Sequence, residues 1–482
     1  MLDLRSVGYV IGLMVMTLGL AMVLPMVVDL AEGRGHWPVF LESAVLTTLT
    51  GGLLALSCFN GVRTGLTIRQ SFLLTTSVWA ILPFFGALPF MLGATQASFT
   101  DAYFEAMSGL TTTGTTVFEG LDDLPSGLLL WRGLLQWLGG LGIVIVALVF
   151  LPIMRVGGMQ FFTSEGFDTF GKVLPRAVDI SKGVINVYLA LTLSCVGVYL
   201  LFGLSAFDAT AHALTTVSSG GFSTRDASFG AFAAPAQYAC VVFMILGTMP
   251  FVRLMQGLRG NLTPLFRDTQ AQTYLRWIAY AVAAVALYEL AVAGTLSEAA
   301  FRERLFNVVS IFSGTGYGDG DVTAWGGGPF VILVLVGAIG GCTGSTGCSV
   351  KIFRYQILIS AIGMQLNRIF YPHSVQLIRH GGRPVESDVL HSVMALMTMY
   401  VVLFGLFTVS LELVGLTFNE ALTGAWTAIF NIGPAFGEAV GPTGAVGAFP
   451  QAAKWIMIIA MLVGRLEVIA VLVLVLPAFW RA

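Results

Sequence analysis

Several stretches of this chain run without Asp, Glu, Lys or Arg for the length a helix needs to cross a bilayer core, among them Val7–Val28, Ser43–Val62, Gly133–Met154, Gly183–Phe207, Ala227–Val252 and Val389–Leu411. A helix needs about 20 apolar residues to cross the hydrocarbon. Helices and closed barrels alone satisfy their own backbone there. Composition agrees, with 56% hydrophobic residues, 10% charged and a mean hydropathy of +0.86; soluble domains are about 25% charged. An all-α polytopic membrane protein is expected. The first run is too long, and too closely followed by a second, for a cleaved signal sequence. The five cysteines (Cys58, Cys195, Cys240, Cys342, Cys348) lie in apolar or glycine-rich stretches without zinc-type spacing and read as small buried hydrophobes.

Between the apolar runs lie four short polar, glycine-bearing breaks: Thr111–Thr115, Val217–Phe222, Phe312–Tyr317 and Phe430–Pro434. Their central glycines, Gly114, Gly220, Gly316 and Gly433, recur roughly every hundred residues, the mark of an internal repeat. A short amphipathic segment precedes each break and opens on a helix-capping type: Thr100-Asp101, Asp208, Ser297-Glu298 and Asn419-Glu420. The expected unit is helix, half-helix, extended strand, helix, four times over in pseudo-fourfold arrangement, after two additional N-terminal transmembrane helices. The boundaries fall at residues 1–68, 69–183, 184–276, 277–386 (with a broken second helix) and 387–482. Non-helical backbone at membrane depth is tolerated where it lines a water-filled cavity or is buried in protein; four strands meeting on one axis meet that condition.

The third break, Gly314-Thr315-Gly316-Tyr317-Gly318-Asp319, resembles a potassium selectivity filter, in which backbone carbonyls replace the water shell of K⁺. Glycine is needed where carbonyls can turn inward only at backbone angles closed to residues with a Cβ. The candidate ion-facing positions are Gly314, Thr315, Gly316 and Tyr317, with Thr112, Thr113, Gly114 and Thr115 in repeat one. Repeat two supplies Ser218, Ser219, Gly220 and Gly221, and repeat four Asn431, Ile432, Gly433 and Pro434. One glycine-rich break alone is more often a turn or a packing site; four in register argue otherwise. A half-helix entering from outside also aims its negative C-terminal end at the membrane centre, where it favours a cation.

Charge tests the orientation. With the N-terminus cytoplasmic, most of the 24 Lys and Arg fall inside, including Arg63, Arg69, Arg155, Lys172, Arg176, Lys182, Arg253, Arg259, Arg267, Arg276, Lys351, Arg354, Arg368, Arg379 and Arg383. Outside fall Arg34, Arg132, Arg225, Arg302, Arg304 and Lys454, so the chain obeys the positive-inside bias. The acids Glu119, Asp122, Asp123, Asp226, Asp319, Asp321 and Glu438 fall on the outer side, where a negative mouth concentrates cations.

Two further features break the apolar runs. Gly337–Ser349 holds five glycines beyond what a straight helix tolerates, each costing about 1 kcal/mol relative to Ala. It lacks the Lys-Ser/Thr ending of a phosphate loop. Lying on the cytoplasmic side of the third break, its residues Gly340, Gly341, Gly344, Ser345, Thr346 and Gly347 read as a gate, with a close-packed kink as the plainer alternative. Gly464-Arg465-Leu466-Glu467 puts two charges into the last membrane helix, where charge marks a pathway or a buried pair. Residues two apart do not face each other on a helix, so Arg465 and Glu467 need separate partners. Arg465 facing the pore would be a positive barrier; a structural ion pair is the alternative. The five histidines (His36, His212, His373, His380, His391) have no metal spacing.

Taken together, the four breaks, the Gly340–Gly347 loop and the terminal Met461–Glu467 stretch resemble the Trk/Ktr/HKT potassium transporters, and among them the bacterial Trk-type membrane subunits. The resemblance spans essentially the whole chain, the two extra N-terminal helices included. It implies a single-chain pseudo-tetrameric pore that moves K⁺ inward across the bacterial inner membrane with no cofactor bound. It also implies a homodimer and a cytosolic, nucleotide-binding regulatory subunit docked on basic segments such as Arg253–Arg276 and Lys351–Arg383; membrane lipid headgroups are the plainer partner for most of those charges, and no nucleic acid is expected. In the plant branch a serine at the first filter's central position goes with Na⁺; Gly114 stands there here, which favours K⁺. Ser219 replaces a common threonine and Ala435 a common glycine, departures that point toward looser Na⁺ exclusion. Two other classes predict different residues: an intramembrane enzyme needs converging catalytic groups, and a proton-coupled anion transporter needs several basic groups at mid-membrane. Channel-like conduction and H⁺ or Na⁺ symport are not distinguished by these residues.

Overall fold

The structure, a computed structural model, describes residues 4–33, 35–61, 66–150, 154, 157–162, 173–373, 376–440 and 444–481. Arg34, Arg63, Arg155 and Lys172, counted above for topology, lie outside the described residues. Among the described residues seven helical spans are long and apolar enough to cross a membrane, and up to nine if each of two bent pairs is one span. Ile68–Leu92 and Thr269–Ala293 are spans beyond the six runs named above; Arg276 and Glu289 interrupt the second, whereas the first is charge-free from Gln70 onward.

The N-terminal unit is α1 (Arg5–Ala21), α2 (Val23–Ala31) and α3 (Trp37–Cys58). Helices α1 and α3 cross at Gly12 and Gly51, where a Cβ on either glycine would strike the carbonyl of the other. Small residues permit that approach in lipid, where packing drives association. Near the end of α2 Asp29 is buried. It accepts from Gly127 N–H (2.7 Å) and pairs with His36 Nδ1 (2.8 Å), while His36 Nε2 accepts from Ala94 N–H (3.1 Å). The unit is thereby pinned to repeat one.

The remaining helices fall into four successive segments along the chain. Repeat one has α4 (Ile68–Gly86), half-helix α5 (Phe99–Leu110) and α6 (Ser126–Ile145); repeat two has α7 (Val173–Leu201), half-helix α8 (Ala206–Val217), α9 (Ala234–Gly247) and α10 (Phe251–Leu258). Repeat three has α11 (Thr269–Ala293), half-helix α12 (Glu298–Ser313), α13 (Gly327–Ile339) and α14 (Ile352–Phe370). Repeat four has α15 (Ser387–Leu413), half-helix α16 (Phe418–Phe430), α17 (Gln451–Arg465) and α18 (Ile469–Val475).

The half-helices start slightly earlier than the capping reading placed three of them. Ser98, Ser205 and Ser297 accept from the backbone of Asp101, Asp208 and Ala300, and Thr417 N–H donates to Glu420. Asp101, Asp208 and Glu420 each stand three residues after the cap: Glu420 closes a capping box with Thr417, and the Ser98 and Ser205 hydroxyls donate to Asp101 and Asp208, which is why these acids resemble caps in the bare sequence.

The second helix is broken in three repeats, where a break in repeat three and an interruption in repeat four were expected. Helices α9 and α10 meet at 105°, and α17 and α18 at 115°. Pro250 ends α9, because the residue before a proline is pushed out of helical angles. At the second bend Glu467 and Val468 take left-handed angles (φ +57° and +51°), rare for any residue with a Cβ and rarest for a β-branched one.

Candidate functional site

Each half-helix hands over to its strand through the same hydrogen bond. The N–H groups of Thr113, Gly220, Thr315 and Ile432 donate five residues back, to the carbonyls of Ser108, Thr215, Ser310 and Thr427, at 2.9, 2.9, 2.9 and 3.1 Å. Backbone angles repeat in step. Thr112, Ser219, Gly314 and Asn431 take left-handed φ of +52°, +55°, +74° and +52°; two residues on, Gly114, Gly221, Gly316 and Gly433 take +86°, +77°, +78° and +119°.

These two patterns correct the register read for repeat two. Its central glycine is Gly221, not Gly220, which corresponds to Thr113, Thr315 and Ile432. Ser218 keeps helical angles as the cap of α8, and Phe222 takes the fourth position beside Thr115, Tyr317 and Pro434. Two adjacent glycines cannot be told apart by residue type; only the backbone separates them.

The four strands close on one another. A Cβ on Gly114 would fall on the carbonyl oxygen of Gly220, one on Gly221 on that of Thr315, and one on Gly316 on that of Ile432. One on Gly433 would lie 3.2 Å from that of Thr113, completing the cycle. Glycine is required here twice over: the angles are left-handed, and the neighbouring carbonyl occupies the space of a side chain. Four carbonyls, those of Thr113, Gly220, Thr315 and Ile432, therefore belong to one ring. Backbone oxygens so arranged can take the place of a cation's water.

Side chains from behind hold the ring. Tyr317 is buried, and its hydroxyl lies 2.5 Å from Thr215 Oγ1 and 3.1 Å from the His212 carbonyl. Thr115 Oγ1 donates to Gly433 O (2.7 Å), and Asn431 Nδ2 to Thr113 Oγ1 (2.8 Å). A polar residue two turns up each half-helix straps the outgoing strand: Glu105 to Val117 N–H, His212 to Ser223, Asn307 to Asp319, and Thr423 to Phe436.

Glu105 is the exceptional strap. Its buried carboxylate also pairs with Arg132 of α6 (2.8 Å), whose Nη1 crosses to the Ser223 carbonyl (2.8 Å) and whose guanidinium lies 4.2 Å over the Phe222 ring. Arg132 is thus no outer-loop charge; it ties strands one and two together inside the protein. The available signal was a lone arginine within an apolar stretch, which implies a buried partner.

On one side of the ring opens a cavity of about 640 Å³ lined by Gly114, Gly221, Gly316 and Gly433 and by Asp226, Asp319 and Asp321. Of the other acids expected at the mouth, Asp122 pairs with Arg225 (3.1 Å), and Glu119, Asp123 and Glu438 do not line the cavity. Burial, then the neighbouring charge of Glu303, holds the Asp319 carboxyl above the ordinary aspartate range.

On the other side of the ring lies buried chain. The segment from Gly340 to Val350 is buried and crosses directly beneath the strands. Cys348 Sγ lies 3.6 Å from Thr112 Oγ1, Thr346 Oγ1 lies 2.8 Å from Ser219 Oγ, and Ser349 Oγ donates to the Phe430 carbonyl (3.1 Å). Gly340, Gly341, Gly344, Ser345, Thr346 and Gly347 all belong to this segment. Gly341 and Gly347 pack on Thr248 at the α9–α10 break. The remaining space, about 10 Å³, is lined by Cys348, Lys351, Asn431, Arg465 and Glu467 among others; that holds about one water.

Arg465 and Glu467 do have separate partners. Arg465 Nη1 reaches Cys348 Sγ and the Thr346 carbonyl (3.5 Å); Glu467 pairs with Arg354, whose Nε donates to Gly157 O (2.8 Å). Lys351 and Arg354 are buried. They are withdrawn from the basic surface on which a cytosolic partner had been expected.

Four re-entrant half-helices whose strands close on one axis, inside a multi-pass bundle, define a membrane ion-transport protein. The sequence model of the TrkH family, described as cation transport proteins, matches residues 36–481. The Trk system potassium uptake protein TrkI of Halomonas elongata is 37% identical over 474 residues, 98% of this chain and 96% of that protein. TrkH of Escherichia coli is 32% identical over 488 residues, covering 99% of both. The crystal structure of the potassium transporter TrkH from Vibrio parahaemolyticus matches with a TM-score of 0.91 at 30% identity over 100% of both chains. This chain belongs to the TrkH family of cation transport proteins.

Proposed function

We propose that this protein takes K⁺ into the bacterial cell across the inner membrane, N-terminus cytoplasmic, through a filter of backbone carbonyls. The observation that carries the reading is the closed cycle in which each of four left-handed glycines faces the carbonyl of the next strand. Such a ring suits a desolvated monovalent cation, since it offers neutral oxygens and no fixed charge. The names of the relatives, potassium uptake proteins, support K⁺ as that ion. Acid residues of the outer cavity gather cations, the ring selects among them, and the Gly340–Gly347 segment with Arg465 obstructs the inner exit.

Opening then requires that segment to move and Arg465 to swing away from Cys348. The regulatory reading follows: a homodimer of this chain carries a cytosolic nucleotide-binding subunit on the inner face. The residues left for that contact are Arg253, Arg259, Arg267, Arg276, Arg368, Arg379 and Arg383. Expression in a bacterium lacking K⁺ uptake tests the reading. Growth on low K⁺ is expected, together with currents carried by K⁺ in preference to Na⁺ from purified protein in liposomes. No rescue with protein present in the membrane, or equal Na⁺ and K⁺ currents, would reject it.

A further inference from the structure

Gly220 is the one ring position without a side chain. Its counterparts anchor themselves: Thr113 Oγ1 lies 2.8 Å from Thr111 Oγ1, Thr315 Oγ1 lies 2.7 Å from Ser313 Oγ, and Ile432 reaches α13 at Gly337. Strand two has no such internal anchor. The space that a side chain at position 220 would fill is occupied instead by the carboxamide of Gln136, from α6 of the preceding repeat. Gln136 is buried. Its Nε2 donates to the Gly220 carbonyl (2.6 Å) and its Oε1 accepts from Phe222 N–H (3.0 Å).

A single amide thus grips the ring carbonyl and the next free N–H as a peptide group of a neighbouring strand would. Among the described residues nothing equivalent stands in the other repeats. Gly139, Gly247 and Gly464 hold matching places, each packed on the carbonyl two residues before its strand's first left-handed position (Leu110, Val217, Ile429). Three residues before them lie Gln136, Met244 and Met461. The methionines cannot make this grip.

We infer that Gln136 is a positioning residue for ion selection: its carboxamide stands in trans for the side chain that Gly220 lacks and fixes the orientation of the Gly220 carbonyl. The inference rests on the filter reading above. Its consequence is an asymmetric ring, in which one carbonyl of four shares a lone pair with a protein donor. That oxygen has less of its field free for the ion than one facing it unshared.

The pairing makes a reciprocal prediction. Gly220 lies outside the left-handed region, so threonine is allowed there by the backbone, and the three atoms that would crowd its Cβ most closely all belong to the Gln136 carboxamide. The hydroxyl that Gly220→Thr introduces would find Ser218, which matches Thr111 and Ser313 of the self-anchored strands. The test is a cycle of Gln136→Ala, Gly220→Thr and the double variant, read as K⁺/Na⁺ discrimination in proteoliposome flux and as folded protein by size exclusion. Gln136→Ala is expected to lower discrimination by about five- to tenfold, the worth of one to two hydrogen bonds. Gly220→Thr alone should be impaired in discrimination or in folding, and the double variant should recover most of what either single change loses. A double variant no better than the worse single one, or unchanged discrimination in Gln136→Ala, overturns the inference. Gly316→Ser run alongside keeps the two readings apart: if it too leaves discrimination unchanged, the filter assignment has failed, whereas its loss with an intact Gln136→Ala rejects the role of Gln136 alone.

Discussion

The Glu105–Arg132 pair offers the sharpest energetic test of how the ring is held. Both side chains are essentially excluded from solvent, at 0% and 1% exposure, and the carboxylate serves three donors: Arg132 Nε, Val117 N–H and Thr116 Oγ1. Glu105→Gln keeps the shape and an acceptor for Val117, yet leaves a guanidinium without a counter-charge. Breaking one side of a buried pair typically costs about 3–5 kcal/mol. That corresponds to roughly two to four powers of ten in the ratio of folded to unfolded protein. Arg132→Met strands the carboxylate and should cost a similar amount. The double variant removes both charges and loses mainly the donors to Ser223 and Thr116, about 1–2 kcal/mol. It should therefore be more stable than either single variant. Equilibrium unfolding in detergent micelles, followed by tryptophan fluorescence, reads the three stabilities. Because Arg132 joins strands one and two, K⁺/Na⁺ discrimination should stay impaired in the double variant even as stability returns. Additive losses in the cycle would refute the reasoning, since independent sites add and coupled ones do not.

Other expectations follow from the same geometry. Gly114→Ser and Gly316→Ser each push a side chain onto a neighbouring ring carbonyl and should lower K⁺ over Na⁺ discrimination in reconstituted flux. Deleting Gly344–Gly347, or changing Arg465→Gln, should raise basal flux if the inner segment obstructs the exit; unaltered rates would leave both with a packing role only. Asp319 has its carboxyl raised by burial and by Glu303, so as external pH falls it takes up a proton before an ordinary aspartate does. The mouth then loses negative charge, and the K⁺ concentration for half-maximal uptake should rise toward acid pH; Asp319→Asn should remove that part of the dependence.

Much of this molecule was legible because a bilayer simplifies the reading. Charge-free runs report spans directly, and a glycine-bearing break at membrane depth has few permitted meanings. The strand of repeat two was misplaced by one residue because Gly220 and Gly221 are chemically identical and differ only in φ. Arg132, Lys351 and Arg354 were counted as loop charges because topology rules score position along the chain, whereas each is buried. The bend at Thr248–Pro250 could have been inferred from Pro250 but lay inside an apolar run that looked continuous. Gln136 was invisible for a deeper reason. Its role depends on a side chain absent from a residue 84 positions away, and neither residue is unusual alone.

The central claim is that the oxygens of Thr113, Gly220, Thr315 and Ile432 surround one cation on a shared axis. Crystals grown with Rb⁺ or Tl⁺ in place of K⁺, measured at the absorption edge of the ion, address it without any assay of transport. An anomalous peak on the axis, in contact with all four carbonyls, is the expected result. Density confined to the outer cavity near Asp226 and Asp319, with none inside the ring, would contradict the account.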